Sequence, residues 1–117
     1  MDQLILVGAG GAIGSLLRFQ ISRMQAPRGI PPGTLFVNVT GSFLITLFIG
    51  LSVTGETYDL LCTGLLGGYT TFSTFGFETF RLIESRDYKA AGANILYNVA
   101  GSLLAAYTGF KVAGLIL

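Results

Sequence analysis

The sequence contains no histidine and only one cysteine, Cys62. Without histidine, a hydroxyl nucleophile lacks the commonest general base, and His/Cys metal sites lose most of their ligands. A lone cysteine excludes a disulfide within the chain. Charge is also scarce: Asp, Glu, Lys and Arg make up 11% of 117 residues, against about 25% in a typical soluble domain. The net charge of +1 leaves no electrostatic footprint for nucleic acid. No acid stands between Leu4 and Val53. A small multidrug-type proton-coupled exporter needs a carboxylate deep in an early span, so this absence argues against that class. No paired acids lie within the apolar segments, and an enzyme is the least supported class. The start, Met1-Asp2-Gln3, has an acid where a signal peptide needs basic residues, so no cleaved leader is expected.

What the chain has in quantity is apolar surface and glycine. Hydrophobic residues make up 51% and glycines number 17, and mean hydropathy is +0.68. Such glycine content suits closely packed membrane helices. A hydrocarbon core of about 30 Å needs about 20 helical residues. Four segments reach that length: about 4–24, stopped by Pro27; 33–53, after a linker stiffened by Pro31 and Pro32; 60–83; and 90–117. The expectation is one all-α, four-span transmembrane domain covering residues 1–117. Its connections are short, so neighbouring spans run antiparallel.

An even number of spans places both termini on one side. The loops opposite carry Arg23, Arg28, Arg81, Arg86 and Lys89, whereas the terminal side carries only Lys111. The positive-inside rule alone then puts the termini outside.

Gly10/Gly14 and Gly64/Gly68 are small-xxx-small pairs, which let membrane helices approach closely. "GAGGAIG" has the look of a dinucleotide fingerprint, but Ile13 stands where the third glycine belongs. No βαβ unit or ribose-binding acid follows, so that reading fails.

Two polar stripes run through the spans. Thr34, Asn38, Ser42 and Thr46 recur every four residues in the second, with Gly41 on the same face. Asn94, Asn98 and Ser102 do so in the fourth, flanked by Tyr97 and Gly101. All can donate hydrogen bonds and none is charged. They fit either bonding between helices, at about 0.6 kcal/mol each, or a polar path through the bilayer. A non-transporting scaffold subunit would account for the glycines, but not for two donor stripes.

The third span contains "GGYTTFSTFGFETF", residues 67–80. Gly67-Gly68 weakens the helix, and Tyr69, Thr70 and Thr71 tolerate a non-helical turn. Freed carbonyls and amides at membrane depth must be met by protein, water or an ion. The stretch is therefore either a kink repaired by its own hydroxyls or a break whose carbonyls hold a cation such as sodium. Phe72 and Phe75 share a face beyond the break, with Ser73 and Thr74 turned to neighbouring directions. A phenylalanine edge carries partial positive charge and can meet an anion. Arg18, near a span end, is a vestibule candidate or a snorkelling side chain. Glu78 is placed to cap a helix or pair with a basic group.

"GLLGGYTTFSTFGFE" (Gly64 to Glu78) resembles the TTFSTF signature of the Fluc (CrcB) fluoride channels. "GGAIGSLLRF", "GTLFVNVTGSF" and "NILYNVAGS" resemble that family's first, second and fourth spans, so the resemblance covers nearly the whole chain. Ser15 and Phe19 depart from the residues common there. The resemblance implies a third helix broken in mid-membrane and an antiparallel homodimer of oppositely inserted copies. It implies two pores and passive fluoride export across the cell membrane. A structural sodium at the dimer centre would lie on the carbonyls of Gly67 and Thr70. Asn38, Phe72 and Phe75 would meet the ion, with Ser73, Thr74, Tyr97, Asn98 and Ser102 also lining the route. Opposed insertion departs from the single orientation that the charge count gives. Fluoride is small and tightly hydrated, so a pore must replace its water with close donors. Neutral donors do this without trapping the ion, and the second and fourth spans show no basic ring.

Overall fold

The computed structural model describes residues 2–24 and 29–117. The expected stop at Pro27, and Arg28 of the charge count, lie outside the described residues. Among the described residues every regular element is helical: α1 (Gln3–Ser22), α2 (Pro32–Gly50), α3 (Gly55–Tyr58), a π-helical segment (Asp59–Leu66), α4 (Gly67–Tyr69), α5 (Phe72–Glu84) and α6 (Tyr88–Ile116). Helices α1, α2 and α6 are each long and apolar enough to cross a membrane. The four expected apolar segments thus appear in order as helix. The third is divided among α3, the π-helical segment, α4 and α5.

Local chemistry sets the ends. Asp2 caps α1 by accepting the Leu4 amide at 2.9 Å. Pro32 opens α2, where its missing N–H costs nothing. Asp87 caps α6 through the Ala90 amide at 3.2 Å. Helix α5 ends in a Schellman turn: Arg86 N–H donates to Ile83 O and Asp87 N–H to Leu82 O, both at 2.9 Å. The turn needs a left-handed residue, and Arg86 supplies it with φ 63° where glycine is usual.

The molecule is a thin slab of 48 × 32 × 17 Å, its long edge matching a bilayer with its headgroup regions, about 40–45 Å. Helix α6 lies along α2, while α1 lies along the π-helical segment and α4. Both expected glycine pairs sit in the second contact. A Cβ on Gly10 would strike the carbonyl of Leu60, and one on Gly14 that of Leu65; one on Gly68 would strike Gly11 O. Backbones this close leave no room for any side chain, which is how membrane helices gain contact without a hydrophobic drive. Val37, Leu66 and Tyr69 form the buried centre, with Ile21, Leu44, Ile45, Phe48 and Leu65 packed against it. Elsewhere the surface is apolar and exposed, with Leu4, Leu16, Phe19, Leu103, Leu104 and Leu115 all outward, as a lipid-facing wall requires.

Candidate ion site at the Thr70–Thr71 junction

Between α4 and α5 the chain runs extended for two residues, Thr70 at φ −83°, ψ 158° and Thr71 at φ −149°, ψ 122°. Helical bonds are lost here, and each freed group shows where it goes. Thr70 still reaches Leu66 O with its amide and with its hydroxyl, both at 3.1 Å. The Thr71 amide, which would have closed onto Gly67 O, donates instead to Asn38 Oδ1 at 2.8 Å. Asn38 Nδ2 returns a bond to Thr71 O at 2.9 Å. The side chain of α2 thus pairs with Thr71 as a neighbouring strand would. Gly68 O accepts from Arg18 Nε at 3.1 Å. The Gly67 carbonyl has lost its usual donor to Asn38.

Thr71 also starts α5. Its Oγ1 accepts the Thr74 amide at 3.1 Å, and it donates to Thr74 Oγ1 at 3.0 Å. Its remaining contact, to Ser73 Oγ at 3.3 Å, then has Ser73 as donor. The Thr74 hydroxyl proton is left over for another acceptor.

An open groove of about 450 Å³ runs beside this junction. Among the expected site residues it brings together Asn38, Gly67, Thr70, Phe72, Phe75, Asn98 and Ser102. The Phe72 and Phe75 rings lie 5.7 Å apart, tilted by 57°, and Phe72 is 83% exposed. Among the described residues, no charged one lines the groove. Ser42 and Ser102 line it with hydroxyls that bond no other described residue.

Four expected residues lie elsewhere. Ser73 and Thr74 stand at the α5 cap. Tyr97 lines a separate groove on the other side of the α2–α6 pair, with Phe36, Val39, Thr40 and Leu104. Adjacent residues on a helix point about 100° apart, and Tyr97 lies round α6 from Asn98 on the side away from Val99, which lines the first groove. Arg18 holds a backbone carbonyl within the fold. Thr46 closes on its own helix, reaching Ser42 O at 3.2 Å and Phe43 O at 3.1 Å. Glu78 Oε1 is buried with no hydrogen-bond partner among the described residues, and so is Thr34 Oγ1.

The structure adds two side chains to the site. Asn38 Nδ2 also donates to Asn98 Oδ1 at 3.1 Å. Asn98 Nδ2 donates to Asn94 O and Asn94 Oδ1, both at 3.0 Å. Asn94 Nδ2 donates to Thr79 Oγ1 at 2.9 Å, and Thr79 to Phe75 O at 2.8 Å. The periodicity places Asn94 on this face. Nothing in the sequence points to Thr79, which lies on another helix in no register with the stripes.

The extended junction, lined by neutral donors, thus lies inside an otherwise apolar helical slab, three of whose helices are long and apolar enough to cross a membrane. The family model described as "CrcB-like protein, Camphor Resistance (CrcB)" matches residues 5–110, and the chain belongs to that family. It is 42% identical to the "Fluoride-specific ion channel FluC" of Methanococcus aeolicus, over 93% of each chain. It is 43% identical to the protein of that name from Methanococcus maripaludis, again over 93% of each. To the one from Rhizobium meliloti it is 42% identical, over 96% of each. The family is one of ion channels, not enzymes.

Proposed function

We propose that this chain is a fluoride-selective channel subunit that lets fluoride leave the cell passively across the cell membrane. The observation that carries the reading is the extended Thr70–Thr71 junction, held open by Asn38 beside the Phe72 and Phe75 rings. The relatives' names supply the ion. In this reading α3, the π-helical segment, α4 and α5 form one membrane crossing broken at its middle, and with α1, α2 and α6 they make four.

Fluoride entering the groove exchanges water for donors at close range. The Ser42 and Ser102 hydroxyls have protons to give. Of the two Asn38 N–H groups, one is needed at Thr71 O, and the other, now toward Asn98, is the one shared with a passing anion. The Phe72 and Phe75 edges supply weak positive charge. Because no donor is fully charged, the ion is held loosely enough to leave.

The Gly67 and Thr70 backbones border the same groove, and Asn38 has taken the amide that would cover Gly67 O. An all-oxygen donor set without an acid suits a hard monovalent cation. The two carbonyls fill only part of a sodium shell, so a second copy is needed to complete it. This favours a homodimer with sodium at its centre and one pore on each side. Bound there, sodium supplies fixed positive charge beside the anion path. The copies sit antiparallel, inserted in opposite directions.

Two experiments test the reading. In cells made sensitive by loss of their own fluoride exporter, expression of this chain restores growth in fluoride, whereas Asn38→Asp does not; growth equal to empty vector contradicts the function. In a Cys62→Ser background, a cysteine at either terminus is labelled from both faces of the membrane; labelling from one face only contradicts opposed insertion.

A further inference from the structure

The amide chain that starts at Asn38 has a fixed direction. A flipped Asn38 would set its carbonyl against Thr71 O and its NH₂ against Thr71 N–H, so the Thr71 backbone permits one orientation only. Asn98 must point Nδ2 at Asn94, because Asn94 O is a carbonyl and can only accept. The Asn94 Oδ1 is then the acceptor and its Nδ2 the donor to Thr79. Thr79 in turn spends its proton on Phe75 O. Asn94 is 1% exposed, Asn98 3% and Thr79 8%, so water does not stand in for any link. The chain runs Asn38 to Asn98 to Asn94 to Thr79 and ends on the main chain of a groove phenylalanine. It ties α2, α6 and α5 together across the junction.

From this geometry we infer that Asn94 and Thr79, which do not line the groove, are positioning residues for the anion path. They hold the Asn98 amide, whose Oδ1 accepts the second Asn38 N–H, and so steady the Asn38 pairing that keeps Thr71 extended. The inference rests on the fluoride-channel reading for its functional consequence, but the effect on Thr71 stands apart from it.

The test is amide hydrogen exchange at single-residue resolution, on full-length protein in lipid nanodiscs, alongside fluoride efflux from liposomes. In the wild type the Thr71 amide exchanges as slowly as helix-interior amides, although its backbone is extended. Thr79→Val keeps the side-chain shape but removes the hydroxyl; exchange at Thr71 rises at least tenfold and fluoride efflux falls several-fold. Thr79→Ser restores both. Asn94→Leu cuts the next link and gives the same comparison if Thr79→Val does not fold. A wild-type Thr71 amide that exchanges at loop rates overturns the inference, with no variant needed. So does a Thr79→Val protein whose Thr71 exchange is unchanged, whatever its efflux. A wild type that passes no fluoride contradicts the channel reading instead and leaves the exchange comparison intact.

Discussion

Asn38 and Thr71 exchange two hydrogen bonds, 2.8 Å from the Thr71 amide and 2.9 Å back to its carbonyl. A side chain thus satisfies both backbone groups of a residue that has left its helix. Left unmet, each would cost about 1–3 kcal/mol in a protein interior and several in hydrocarbon. The extended junction depends on this pair.

Replacing Asn38 by Asp is therefore expected to be severe. The carboxylate still accepts from the Thr71 amide but faces Thr71 O and Asn98 Oδ1 with no donor. Stability falls by about 2 kcal/mol or more, read as a lower melting temperature in detergent, and fluoride efflux is lost. A variant with wild-type melting and efflux would remove Asn38 from both roles.

Phe72→Ile and Phe75→Ile test the ring edges. Phe72 is largely exposed, so its loss costs little packing. Losing an edge worth about 0.5–1.5 kcal/mol slows passage about two- to tenfold. Efflux per folded protein is the readout, and unchanged rates in both variants would exclude the rings.

Two glycines on one helix should respond with opposite sign. Gly14→Ala drives a methyl group into the Leu65 carbonyl and destabilises by about 1–3 kcal/mol. A Cβ on Gly8 meets nothing within 4 Å, and Gly8→Ala is neutral or stabilises by up to about 1 kcal/mol. Thermal melts of the two variants check the contrast.

Arg86→Gly relieves the left-handed strain of the α5 turn, about 1–2 kcal/mol, against a glycine entropy cost of about 0.5–1 kcal/mol. The net effect is a small rise in melting temperature with efflux unaltered; a fall would show that the Arg86 side chain contributes contacts of its own.

Much of this architecture is written in residue spacing. The helical class and the four apolar segments follow from the length of the apolar runs, and the glycine contacts and the Asn38 and Asn98 face from a period of four. Other features depend on contacts between distant segments. The π-helical stretch Asp59–Leu66 packs its carbonyls against Gly10 and Gly14, a demand that exists only once α1 is in place. The contact of Arg18 Nε with Gly68 O, 50 residues on, is another that no spacing in the sequence shows. Thr79 joins the site through its bonds with Asn94 and the Phe75 carbonyl. Tyr97 is adjacent to Asn98 in sequence, yet the turn of α6 carries it to a different groove.

The most direct test of the central claim is passive fluoride release from liposomes containing the purified protein, followed with a fluoride electrode. The account predicts rapid release down the gradient, abolished by Asn38→Asp. Release no faster than from protein-free vesicles would contradict it.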